Sequence, residues 1–290
     1  MPFGGDIADG ASLAAELARR QNPDGGWGYT NKSSWTESTS LALIALNTTG
    51  AFRLEQSRGA EWLRGNQRED GGWPPQPGVE HSTWVTAVVL LVPEIRSSTA
   101  RHKAVDWLMN RSGRESTIIE RVRRLMLGTK AEVGEGTIGW PWFPDTAGWV
   151  TPTVFSLLAL RAVSKEEPKV AARIEDGRQF LLARICADGG WNHGSARALG
   201  YAAASYPDTT GQGLLALQGV ADDRVNHASN LAVRQLNTER SAEAASWLQL
   251  GLLAQGRNPI EPALPLVCRT TNAFALRIIA AAARKNNAFL

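Results

Sequence analysis

The sequence predicts an all-α protein of paired helices, one layer inside another, closed into a ring. Three observations carry that reading. The tetrapeptide DGGW occurs at 24–27, 70–73 and 188–191, with an echo, IGW, ending at Trp140. A charged helix-period stretch precedes each turn and an almost uncharged one follows it, while no run alternates as a strand would. Uncharged helices need burial on most sides, so they form an inner layer and the charged ones an outer layer.

Taken in order, ASLAAELARRQ gives a first outer helix over 11–20. Ser and Thr residues ahead of LALIAL start the first inner helix, 36–47. RGAEWLRGNQ gives an outer helix over 55–66 and TAVVLL an inner one over 83–92, followed by an outer helix at 100–112. Successive tryptophan intervals are 46, 67 and 51 residues, so the second exceeds the others by about one helix. The charged stretch RESTIIERVRRLML fills that excess with a helix at 115–127, inside an insertion near 112–133. SLLAL marks an inner helix at 151–163, GRQFLLARI an outer helix at 169–185, and GLLAL an inner helix at 210–220. Helices over 222–236, 241–256 and 269–284 complete the set. The last, NAFALRIIAAAA, is among the most apolar, whereas an open stack would end in a polar cap, which points to closure. No linker rich in Pro, Gly or Ser divides the chain, so residues 1–290 read as one domain.

Composition narrows the function. The chain is 43% hydrophobic, ample for a core, and its net charge of +3 is interspersed without basic blocks, which disfavours nucleic acid as a partner. No apolar run reaches the roughly 20 residues of a membrane span, and MPFGGDIADG lacks an apolar leader core, so the expectation is a cytoplasmic protein, not transmembrane. Two cysteines, Cys186 and Cys268, cannot build a disulfide framework, in keeping with a reducing compartment.

Over 58–73 the chain reads RGAEWLRGNQREDGGW, and here it resembles the QW motif of squalene and oxidosqualene cyclases. Arg58, Gly59, Trp62, Leu63, Gln67, Gly71 and Trp73 match every element of that motif. The first repeat matches at Gln21, Gly25 and Trp27, with Glu16 at the aromatic position. The third matches at Gly177, Phe180, Leu181, Gly189 and Trp191, with Ile185 in place of Gln. Lys103, Ala104, Trp107 and Leu108 open a further copy that the insertion interrupts. The resemblance implies the α/α toroid shared by terpenoid cyclases and protein prenyltransferase β-subunits, here a single toroid of about six hairpins. The motif's physics is structural: glycines permit the turn, Gln bonds loop backbone, and Trp packs on a helix end. Trp27, Trp73 and Trp191 therefore read as fold residues, and Asp24, Asp70 and Asp188 as turn formers.

Chemistry is sought at the inner-helix starts. WTESTSLALIAL from Trp35, WVTPTVFSLLAL from Trp149 and YPDTTGQGLLAL from Tyr206 superpose without gaps, and WVTAVV from Trp84 joins them. Trp35, Trp84, Trp149 and Tyr206 then share one position, and Glu37, Thr86, Thr151 and Asp208 another. Such starts converge at one end of a toroid, so these residues are expected to ring a cavity for an apolar ligand, isoprenoid by the resemblance. The competing reading has the polar residues capping helices and the aromatics filling core.

Class II terpenoid cyclases carry DxDDTA before a similar helix, and their central Asp donates a proton. The resemblance puts Asp208 on that Asp and Thr210 on the Thr, but Tyr206 and Thr209 on the other two acids. The acid set is thus incomplete; Asp208 is the catalytic candidate and helix N-cap its rival role. Squalene-type cyclases also set their site between two helical domains, and this chain supplies one. Cys186 precedes Asp188 and His193 in the reverse of the prenyltransferase zinc order, so no metal and no cofactor is predicted. DDRVN at 222–226 reads as a helix start, and the arginines around Glu115 and Glu120 as a solvated face or a protein contact. Two functions follow: a cyclase- or isomerase-like protein binding an isoprenoid, or a non-catalytic interaction module with a filled centre and a partner on its rim or insertion.

Overall fold

The computed structural model describes residues 10–30, 32–114, 137–194, 197–198, 201–258 and 260–290; the helix expected at 115–127 lies outside the described residues. The helices are α1 (Gly10–Arg19), α2 (Thr36–Thr49), α3 (Arg53–Gly65), α4 (Val85–Leu90), α5 (Pro93–Arg96) and α6 (Ala100–Met109). They continue as α7 (Val150–Ala162), α8 (Ala171–Ala183), α9 (Pro207–Ala216), α10 (Asp223–Thr238), α11 (Ala242–Ala254) and α12 (Thr271–Ala282). Two small antiparallel pairs accompany them: β1 (Trp140–Pro141) with β2 (Gly148–Trp149), and β3 (Arg197–Ala198) with β4 (Tyr201–Ala202).

Six helices form the inner ring. Helix α2 packs on α4, α4 on α7, α7 on α9, α9 on α11, α11 on α12, and α12 back on α2, so the ring closes as the apolar last helix predicts. Outside it, α3 backs α2, α6 backs α4 and α8 backs α7; α10 bridges α9 and α11, and α1 bridges α12 and α2. The inner helices are buried nearly all round: every residue of α2 from Ser38 to Leu46, and of α7 from Val150 to Leu160, is buried. The helix expected over 83–92 is the shorter α4, ending at Leu90, and Pro93, which cannot donate its backbone N–H, starts the separate turn α5 beyond it.

The repeated turns act as identical clamps. Trp27, Trp73, Trp140 and Trp191 are wholly buried. Their indole N–H groups donate to the carbonyls of Leu17 (2.8 Å), Leu63 (2.6 Å), Leu108 (2.9 Å) and Leu181 (2.7 Å) near the end of the preceding outer helix. Their backbone N–H groups donate to the hydroxyls of Thr39, Thr86, Thr153 and Thr210 on the inner helix that follows. Gln21 and Gln67 each donate to the glycine carbonyl of their own turn and to a carbonyl of the next repeat, Glu55 and Ala100. Asp24 accepts from Gly26 N–H and Ser34, and from the Trp62 indole at 3.1 Å; Asp70 repeats the set with Gly72, Ser82 and Trp107. Gly71 has φ +91°, and a Cβ there would meet the Lys103 carbonyl oxygen at 2.5 Å. Only glycine fits that turn.

Candidate active site

Because the inner helices start at one end of the ring, their first turns enclose a cavity of about 550 Å³. Glu37, Thr151, Asp208, Glu243 and Asn272 are the second residues of α2, α7, α9, α11 and α12, and all five line it. The sixth inner helix contributes Trp84, just ahead of α4. One structural position per hairpin thus points into the lumen.

That geometry changes the alignment at α4. Thr83, not Trp84, donates its N–H to the Trp73 carbonyl, as Trp35 does to Trp27 and Tyr206 does to Trp191. Its start is one residue shorter between this point and the clamp threonine, Thr86. Trp84 therefore moves from the cap position of Trp35 to the lumen position of Glu37. Of the eight residues expected around the cavity, Trp35, Glu37, Trp84, Thr151 and Asp208 line it, and Thr86, Trp149 and Tyr206 do not. Thr86 is spent on the Trp73 clamp. Trp149 pairs with Trp140 in the small sheet and is 37% exposed, while Tyr206 is 50% exposed and lies 5.2 Å from the His193 ring. Asp208 is not a cap: the cap of α9 is Tyr206, which makes no side-chain bond, and Asp208 sits in the first turn facing the cavity. Capping does hold at Asp222, whose carboxylate accepts from Arg224 N–H at 2.8 Å. The centre is hollow, unlike the filled centre expected of an interaction module.

The walls divide by chemistry. Trp84 meets Trp142 edge-on at 4.7 Å and Phe155 at 5.4 Å, and Phe155 meets Trp247 edge-on at 5.6 Å, forming a continuous aromatic wall. An acid cluster lines the same lumen. The Tyr29 hydroxyl donates to Glu37 Oε2, the Asn272 amide donates to Glu37 Oε1 at 3.2 Å, and the Thr270 hydroxyl donates to Glu243 Oε1. Burial pushes the Glu37 carboxyl up to about 7; the Tyr29 hydrogen bond opposes this, the Glu243 carboxylate adds to it, and the Asn272 bond again opposes it. The Tyr29 hydroxyl is raised as well, first by burial and then by the Glu37 charge, so it remains a donor at neutral pH. Also in the lining, Gln212, only 6% exposed, accepts from the Thr151 hydroxyl at 2.9 Å.

Sequence reasoning missed Tyr29, Glu243 and Asn272. A signal for Glu243 exists: SAEAASWLQLGLLA superposes on WTESTSLALIAL with Glu243 upon Glu37. Asn272 meets Glu37 across 235 residues of sequence, and only ring closure brings them together.

Among the described residues no helix is long and apolar enough to cross a membrane. No known family profile and no curated protein matches the sequence. Solved structures do match. The type II terpene cyclase MstE from Scytonema aligns over 97% of this chain and 80% of its own, at 14% identity and TM-score 0.55. A variant of that cyclase in complex with geranylgeranyl dihydroxybenzoate aligns with TM-score 0.54. A family 76 glycoside hydrolase from a bovine Bacteroides thetaiotaomicron strain aligns over 96% of this chain and 78% of its own, at 11% identity and TM-score 0.61. The endoglucanase Cel10, a family 8 glycosyl hydrolase from Klebsiella pneumoniae, covers 94% and 99% at 16% identity and TM-score 0.58. At these identities the likeness is one of fold: the chain is an α/α toroid, like the terpene cyclase and the glycoside hydrolases it resembles.

Proposed function

We propose that the protein binds a small molecule with an apolar, isoprenoid-like body in the central cavity and acts on it by proton transfer, as a cyclase or isomerase. The observation that carries this is a carboxyl, Glu37, whose acidity is brought near neutral pH inside an aromatic-walled lumen. An acid of that strength is protonated in a useful fraction of molecules at pH 7. Its O–H proton adds to an alkene carbon, leaving the Glu37 carboxylate and a carbocation. The Trp84, Trp142 and Trp247 faces stabilise that cation, and loss of a proton from a neighbouring carbon to a carboxylate ends the reaction with no net change in protons. The cavity volume lies within the roughly 300–1,000 Å³ of small-molecule sites. The terpene cyclase neighbour, seen with a geranylgeranyl substrate, supports the ligand class. Proton donation passes from Asp208, which lacks the family's partner acids, to Glu37, which has Tyr29, Asn272 and Glu243 around it.

Solvent extraction of the purified protein with mass spectrometry, followed by turnover assays on polyprenyl substrates, tests this. Glu37→Gln should abolish turnover and keep the fold; a fully active Glu37→Gln variant would overturn the assignment. A second reading rests on the Glu37–Glu243 pair, since two carboxylates facing one lumen are also the equipment for glycoside hydrolysis. Release of reducing sugar from mannan or cellulose oligosaccharides would favour it. The rival without catalysis, a protein-interaction module using the rim or the basic insertion, predicts a partner and no turnover of either substrate.

A further inference from the structure

From a second polar part of the cavity lining, we infer that the ligand carries an uncharged hydrogen-bonding head, a hydroxyl or a carboxamide, which docks between Gln212 and Asp208. This deepens the reading of the cavity as a ligand site and rests on it. Asp208 and Gln212 are four residues apart on α9, hence on one helix face, and both line the lumen. Gln212 is 6% exposed, its Oε1 is occupied by the Thr151 hydroxyl, and its Nε2 has no partner among the described residues. The Asp208 carboxylate likewise has no hydrogen bond among them. The Gln212 amide N–H thus opens onto the cavity, and a ligand that displaces water from it either replaces that hydrogen bond or leaves the donor unpaired at a cost.

The two groups are complementary to one kind of partner. Gln212 Nε2 needs an acceptor, and Asp208 needs a donor. A hydroxyl or a primary amide supplies both at one atom or two adjacent ones. A phosphate or carboxylate head does not fit: the described lining residues include Glu37, Asp208 and Glu243 but no lysine or arginine. A pure hydrocarbon leaves the Gln212 donor unpaired and forfeits the discrimination that a hydrogen-bonding site provides.

The test compares phytol, phytane and phytyl phosphate, which share one branched chain, by quenching of tryptophan fluorescence, since Trp84, Trp142 and Trp247 line the cavity. Phytol should bind the wild-type protein about tenfold more tightly than phytane, the ratio expected for one to two paired hydrogen bonds, and phytyl phosphate more weakly than phytol. Gln212→Leu should erase the preference for phytol while phytane binding persists. The wild-type comparison needs no variant, so a poorly folding Gln212→Leu leaves the inference testable. Equal affinity for phytol and phytane, or tighter binding of the phosphate, overturns the uncharged-head inference and leaves the apolar-ligand reading standing. Binding of none of the three overturns both.

Discussion

Glu37 should make the stability of this protein fall with rising pH across the neutral range. Its carboxyl is held at about 7, against an ordinary 4.5, chiefly by burial. The folded state therefore keeps a proton that the unfolded chain releases earlier, so the stabilisation is complete below about 4.5 and lost as pH rises through about 7. A shift of that size corresponds to about 3 kcal/mol. Glu37→Gln removes the titration but keeps the shape. The introduced amide oxygen still accepts from Tyr29, and a turned Asn272 amide can present its oxygen, which has no partner now, to the new NH₂. Thermal melting of both proteins from pH 5 to pH 8 reads this out. The variant should match the wild type near pH 5 and exceed it by roughly 5–10 °C at pH 8, taking a few degrees per kcal/mol for a chain of this size. Parallel melting curves at all pH values would refute the burial argument.

Three further outcomes are expected. Trp73→Ala empties a wholly buried site and breaks the bond to the Leu63 carbonyl, so it should lower stability by about 3–5 kcal/mol in denaturant titration; an unchanged midpoint would show that the clamp carries nothing. Gly71→Ala combines a positive φ with a Cβ 2.5 Å from the Lys103 carbonyl oxygen, and should cost more than the roughly 1 kcal/mol of an ordinary helix glycine replacement in reverse, as read by melting temperature. Asp208→Asn and Asp208→Ala should cost similar amounts, each below about 1 kcal/mol, because the residue offers only dipole complementation in the first turn. A distinctly larger loss for Ala than for Asn would restore the capping role.

The repeat made most of the fold legible in the chain. All the helices from α1 to α12 except α5, which has no expected counterpart, lie within a few residues of their expected places, because burial on one face or on all faces writes itself into hydropathy. Alignment by residue type misplaces the start of α4, since Trp84 resembles Trp35 in type, whereas register is set by Thr86 and its bond to the Trp73 N–H, which identity alone does not reveal. Two of the aromatics placed at the cavity, Trp149 and Tyr206, precede their helices at a point where the backbone turns them toward solvent. Of the acid cluster only Glu37 is legible from the repeat, and its partners are hidden for another reason. Tyr29 comes from a turn, Asn272 from the helix that closes the ring, and Glu243 from a helix start that matches that of Glu37 but follows no DGGW turn. No short window of sequence contains two of them.

Four of the hairpins separate their duties by position. The clamp threonine on an inner helix secures the scaffold, while the residue at the start of the same helix faces the lumen and touches no clamp. Glu, Trp, Thr, Asp, Glu and Asn occupy that place around the ring without disturbing the frame. Mutation can therefore rewrite the interior one hairpin at a time, at little risk to folding. Such a frame is permissive to evolutionary change in its chemistry, because a substitution at a lumen position leaves the hydrogen bonds of the turns in place.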